Sequence, residues 1–136
     1  MLITREVDYA LRLVRALADG QVHKMERLCE EEMIPQQFAY KILKKLSKAS
    51  LAESHRGREG GCRMTADLEH VTLYDLMNAM EADRRINACT CDGYQCEWVT
   101  AKGCYCGVNR KLREIQAKMD EELKARTLAS LLGDDL

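Results

Sequence analysis

A mostly α-helical fold with one small β-hairpin is what this chain predicts, on three observations. Apolar residues recur at three- and four-residue steps over most of the 136 positions, two short extended runs flank a glycine-rich tip between residues 51 and 65, and a long charged helix with a narrow apolar stripe follows residue 107. Hydrophobic residues make up 46% of the chain, enough for one core and an extension. The pattern divides into residues 1–82, a cysteine-rich stretch over 83–107, and residues 108–136.

The first helix is marked by Ile3, Val7, Ala10, Leu11, Val14, Leu17 and Ala18, with Thr4 placed to cap it and Gly20 to end it. Its polar face carries Arg5, Asp8, Arg12 and Arg15, and Asp8 has ion-pair partners in Arg5 at three residues and Arg12 at four. These charges exclude a secretory apolar segment or a membrane span at this end, so a reducing cytoplasm is expected.

From Val22 to Ala49 two short helices meet at a tight turn. Met25, Leu28 and Cys29 form the apolar side of the first. Ile34-Pro35 stops it and starts the second, because proline disfavours helix in the residue before it and is tolerated at a helix start. In the second, Phe38, Ile42, Leu43 and Leu46 face inward, Lys41, Lys44, Lys45 and Lys48 fall outward, and Gln36, Gln37 and Tyr40 lie near the exposed beginning. That is a helix-turn-helix. The hairpin around Gly57, Gly60 and Gly61 then reads as a wing, with Cys62 packed beneath it.

Net charge is −1, yet between Pro35 and Thr65 seven positive residues, the four lysines with Arg56, Arg58 and Arg63, face only Glu53 and Glu59, a local +5. A lysine-rich helix face alone is ordinarily just solvated. Joined to a basic hairpin it points to double-stranded DNA: Lys41 and Lys44 suit phosphates, Gln36, Gln37 and Tyr40 stand at the start of a recognition helix, and Arg56 and Arg58 suit a minor groove.

After the hairpin, Thr72 can cap a helix bearing Leu73, Leu76, Met77 and Met80, where the methionines read as core filler. The stretch ACTCDGYQCEWVTAKGCYC follows, with Cys89, Cys91, Cys96, Cys104 and Cys106 crowded between two helical patterns. It has no apolar period and reads as a long loop ordered by something it binds. Thiolates are soft donors, so an iron–sulfur cluster or a zinc ion is the natural candidate. Zinc sites favour cysteines two to four residues apart, whereas Cys89-Cys91 and Cys104-Cys106 leave one residue between them. A metal-free thiol switch is the other alternative, although no pair has the two-residue spacing of dithiol oxidoreductases. Nothing matches a nucleophile with its base or a phosphate loop, so an enzyme is not expected.

The last helix carries Val108, Leu112, Ile115, Met119 and Leu123 as its stripe, with Glu114-Lys118, Asp120-Lys124 and Glu122-Arg126 at helical spacing. A single stripe on a charged helix wants a second helix, most simply in a homodimer. The apolar TLASLL at 127–132 is expected to dock on that dimer.

Taken together, Ile3-Thr4 with Asp8 to Arg12, Ile34-Pro35, Lys41 to Leu46, Arg56-Gly57 with Gly60-Gly61, and Thr127-Leu128 resemble the IscR/NsrR-like winged-helix regulators of bacteria, the Rrf-two type, over essentially the whole chain. The resemblance implies a homodimeric transcriptional repressor or regulator that binds operator DNA, with a winged helix-turn-helix domain, a long C-terminal dimerisation helix and, in its sensors, an iron–sulfur cluster (2Fe-2S or 4Fe-4S) held by three cysteines and a variable fourth ligand. Cys106 resembles the third cysteine, and Cys91 and Cys96 the first two. Cys89 and Cys104 are additions able to take a ligand's place, and the loop before Cys106 is longer than the family pattern. Asn109 stands where some members carry histidine, and Asp8 matches the aspartate that some nitric-oxide sensors contribute from the other subunit.

Overall fold

The computed structural model describes residues 2–133, in which seven α-helices and one two-stranded sheet enclose a single core. Helix α1, Arg5–Ala16, begins at Thr4, whose hydroxyl accepts the Val7 backbone N–H at 3.3 Å. It buries Val7, Ala10, Leu13 and Val14, and Leu17 follows directly behind. Leu13, rather than the expected Leu11, completes the inner face: it stands three after Ala10 and four before Leu17, while Leu11 is only half-buried at the flank.

Helix α2, Met25–Glu31, and helix α3, Gln36–Lys48, form the helix-turn-helix, with Met33 at φ 53° and Pro35 in the turn. The inner face of α3 is Ala39, Ile42, Leu43 and Leu46, packed on α1 and α2. Phe38 lies at the edge of that face, half-buried, its ring edge-on to Tyr9 at 5.6 Å between centroids.

The wing is an antiparallel hairpin of β1, Ala52–His55, and β2, Gly61–Met64, in the register Ala52 opposite Met64 and His55 opposite Gly61. Two-residue alternation sends Cys62 and Met64 inward and Arg63 outward. Beyond β2, the His23 backbone exchanges two hydrogen bonds of 2.9 Å with Cys62, tying the wing to the segment before α2. This approach is why glycine stands at 61: a Cβ there would run into the His23 carbonyl oxygen.

Helix α4, Leu73–Ala79, opens with a capping box in which the Thr72 hydroxyl accepts the Asp75 N–H and the Asp75 carboxylate accepts the Thr72 N–H. Its Leu76 and Met77 are buried, as is Met80 just beyond. The cysteine-rich stretch is not one unbroken loop. It holds a 3-10 turn at Ala88–Thr90 and a six-residue helix α5, Glu97–Lys102, closed by Gly103 in the left-handed conformation.

Helix α6, Gly107–Ala125, runs back toward the core. Its expected stripe is divided: Leu123 is buried and Met119 packs on the core, whereas Ile115 and Val108 are 54% and 68% exposed. Of the three expected charge pairs only Glu122–Arg126 forms, at 2.5 Å. Glu114 pairs instead with Lys111 at 2.9 Å, Asp120 accepts from Gln116, and Lys124 lies over the Tyr74 ring at 4.6 Å.

Helix α7, Leu128–Leu132, docks on its own chain, where the expectation was a seat on the dimer. The Leu73 N–H donates to the Arg126 carbonyl at 2.8 Å and the Leu128 N–H to the Val71 carbonyl at 2.7 Å, while Leu128 and Leu132 are buried in the core. Residues 134–136, the last of the expected 108–136 segment, lie outside the described residues.

Candidate nucleic-acid interface and metal centre

The solvent side of α3 presents Gln36, Gln37, Tyr40, Lys41 and Lys44, all exposed, and the hairpin tip presents Arg56 and Arg58. Between helix and hairpin runs a groove of about 590 Å³ lined in part by Tyr40, Lys44, His55 and Arg56. Gln36, Gln37 and Lys41 on α3 and Arg58 at the hairpin tip stand outside that groove. Two contacts hold the face in shape. The Lys24 ammonium donates to the Arg58 carbonyl at 2.6 Å, and the Tyr40 hydroxyl donates to Glu26 at 3.3 Å, with burial and the Glu26 charge raising its pKa.

Two of the seven positive residues turn away from this role. Lys45 is mostly buried, 3.0 Å from Glu6 and 3.3 Å from Glu81, and donates to the Met80 carbonyl, so it buttresses α3 against α1 and α4. Burial lowers its pKa, but the hydrogen bonds to the two carboxylates outweigh that and leave it raised. Arg63 pairs with Glu53 across the hairpin at 2.6 Å. Arg63, then His55, holds the Glu53 carboxyl below its ordinary value. Lys41 keeps its exposure while lying 3.6 Å from Glu6.

Cys29 and Cys62 are buried in the core of the winged domain. Burial, with the neighbouring Cys29 and Glu26, pushes the Cys62 thiol up to about 11, and burial with Glu26 and Glu30 also raises Cys29. Both are protonated thiols in neutral water and fill space.

The other five cysteines separate into two groups. Cys89, Cys96 and Cys106 line one cavity of about 340 Å³ together with Tyr94, Tyr105 and Asn109. Cys96 is the N-cap of α5 and Cys106 the N-cap of α6, where the Asn109 N–H donates to the Cys106 Sγ at 3.4 Å. The Asn109 side-chain amide donates to the Cys89 carbonyl. Helix starts carry partial positive charge, which favours thiolates and an anionic group beside them. Among the described residues no three His, Cys, Asp or Glu converge tightly enough to hold a single metal ion as they stand. The donor set nevertheless suits a cluster chemically, with three soft sulfurs on a shared wall.

Cys91 and Cys104 are not part of that wall. The Cys91 sulfur accepts a hydrogen bond from the Arg85 guanidinium at 3.2 Å, and its carbonyl accepts one from Arg113 at 2.9 Å. Arg85 is itself anchored by Asp83, which its guanidinium holds at about pKa 2. Cys104 is exposed. Asp8, on α1, is paired with Arg12 at 3.0 Å, the second of its two expected partners.

Three participants carry no clear signal in the sequence. Arg85 sits in an unremarkable charged run, and Gln116 on α6 accepts the Ile86 N–H at 2.8 Å while donating to the Arg84 carbonyl at 3.1 Å. Asn109 drew notice only as a replacement for histidine, with no role of its own.

A helix-turn-helix with a basic outer helix and a hairpin at its side defines a winged-helix transcriptional regulator. The chain belongs to the Rrf2 family: the family model described as iron-dependent transcriptional regulator matches residues 3–134. These are regulators and not enzymes. Protein aau3 of Rhizobium meliloti (strain 1021) is 29% identical over 135 residues, covering 97% of this chain and 85% of that relative. Among solved structures, T. potens IscR superposes with a TM-score of 0.73 at 16% identity, covering 100% of this chain and 89% of that one. CymR of B. subtilis, titled the global cysteine regulator, superposes with a TM-score of 0.70 at 17% identity, covering 98% and 97%. Among the described residues no helix is long and apolar enough to cross a membrane.

Proposed function

We propose that this chain acts in the cytoplasm as a homodimer that binds double-stranded operator DNA, and that the cysteine segment senses redox, iron or nitric-oxide state by holding an iron–sulfur cluster. The observation that carries the sensing half is the cavity shared by Cys89, Cys96 and Cys106 at the root of α6. When bound there, such a cluster supplies electron transfer and reactivity toward oxidants or nitric oxide. The chain's own part is mechanical and electrostatic. Helix starts at Cys96 and Cys106 favour negative charge in the cavity, and α6 links its wall to the core beside α4. The exposed Val108 and Ile115 suit a helix of a second copy, and Asp8 is available to it as a fourth ligand once released from Arg12. Ordering or loosening the cysteine segment then changes how two α3 helices are spaced against half-sites about one DNA turn apart.

Purification without oxygen, with iron, acid-labile sulfide and zinc measured per chain, tests this reading directly. Iron and sulfide in comparable amounts, with operator affinity for DNA selected from a random pool changing on their removal, is the expected result. Zinc alone points to a structural site, and a reversible thiol pair without metal points to a thiol switch. Either outcome ends the cluster reading and leaves the family assignment in place.

A further inference from the structure

The structure assigns the cluster's thiol ligands as Cys89, Cys96 and Cys106, with Cys91 standing outside the set; this rests on the cluster reading above. The resemblance alone implies Cys91 as the first ligand, so the assignment departs from it. Three observations support the departure. Cys89 lines the cavity with Cys96 and Cys106, and Cys91 does not. The Cys89 segment is stitched to the start of α6 through the Asn109 amide, and the same residue's backbone N–H meets the Cys106 sulfur, so two of the three ligand-bearing segments share one anchor. Cys91 lies outside that lining, its sulfur engaged by Arg85 and its carbonyl by Arg113, while Arg85 is locked to the Asp83 carboxylate through three hydrogen bonds, one of them from the Arg85 backbone N–H. Making Cys91 a ligand requires giving up the Arg85 contact, whereas among the described residues no hydrogen bond engages the Cys89 sulfur.

The test is a set of single serine variants, Cys89→Ser, Cys91→Ser and Cys104→Ser, purified without oxygen and supplied with ferrous iron and sulfide. Iron and sulfide per chain and the visible charge-transfer absorption are the readouts, with helical circular dichroism as the folding control. These positions are on the surface or half-buried, so loss of the fold is not expected. The assignment stands if Cys89→Ser loses most of its iron and sulfide while Cys91→Ser and Cys104→Ser hold the wild-type amounts. It is overturned if Cys91→Ser loses them, or if Cys89→Ser keeps them, with wild type loaded in the same experiment. Wild type that takes up no iron and sulfide overturns the cluster reading as well as the assignment, and so distinguishes the two failures.

Discussion

Asn109 serves two partners from one position, its backbone N–H toward Cys106 and its side-chain amide toward the Cys89 carbonyl. Groups that orient ligands without binding metal typically matter by about 10–100-fold in affinity. Asn109→Asp, isosteric but without the donor, is therefore expected to weaken iron retention at the proposed site by about that factor in a chelator competition. On the other face, Lys44 is an exposed cation at the groove, with no side-chain hydrogen bond or ion pair among the described residues. Lys44→Ala is expected to weaken DNA binding uniformly across sequences and to lower the log-affinity versus log-salt slope by about one unit, measured by titration at several salt concentrations. Lys45, one residue on, reads the same in sequence but is a buttress. Helical spacing places it toward the flank of α3, and only the positions of Glu6 and Glu81, contributed by α1 and the turn after α4, decide that it points inward. The same holds for Leu13 and Leu11, where a wide apolar face leaves the choice of innermost residue to packing.

At the level of elements, α2, α3, the hairpin and α4 were legible because each announces itself locally through proline, paired glycines or a capping threonine. Helix α5 was not. Glu97–Lys102 is too short to show a period, and its ends are set by Cys96 and by Gly103 in the left-handed region. The docking of α7 was equally hidden, since the apolar TLASLL does not say which surface receives it. Gln116 makes the stem of the cysteine segment part of α6 by holding both Ile86 N–H and Arg84 carbonyl. Replacing it by leucine removes these two hydrogen bonds, contributing about 1 kcal/mol each, so amide exchange at Ile86 is expected to quicken roughly thirtyfold, read by hydrogen–deuterium exchange. The wing carries its own pH dependence. Glu53's folded pKa lies below its ordinary 4.5, so the unfolded chain takes up the proton first as pH falls. The stabilisation is complete above that ordinary value and is lost as pH drops through the folded one. Melting temperatures compared between pH 6 and pH 3 are expected to fall less for Glu53→Gln than for wild type.

Across the whole molecule, the apolar stripe of α6 divides between two tasks. Its far end, at Met119 and Leu123, belongs to the chain's own core, and its near end, at Val108 and Ile115, is left in solvent. Placing a charge in a helix seam is strongly unfavourable. For the proposed homodimer, Ile115→Glu is accordingly expected to shift sedimentation from dimer to monomer while the helical content is retained, and a variant that remains dimeric would move the interface elsewhere. The cysteine cavity itself is only partly legible in the sequence: all five thiols stand out there, but which of them share a wall depends on Arg85 and Asn109 contacts that cross from one segment to another.

The hydrogen bonds from Leu73 to Arg126 and from Leu128 to Val71 hold the start of α4 beside the end of α6, so the cysteine segment between those two core-packed helices is tied to the core at both sides. It is a handle with both feet sewn down. Because closing a longer loop between fixed ends costs only slowly more, about 0.6 kcal/mol per doubling in length, residues can be added or removed within the handle at little expense to the rest. The cysteine count and spacing here are thus free to drift as a cassette, with the winged half of the chain left as it was.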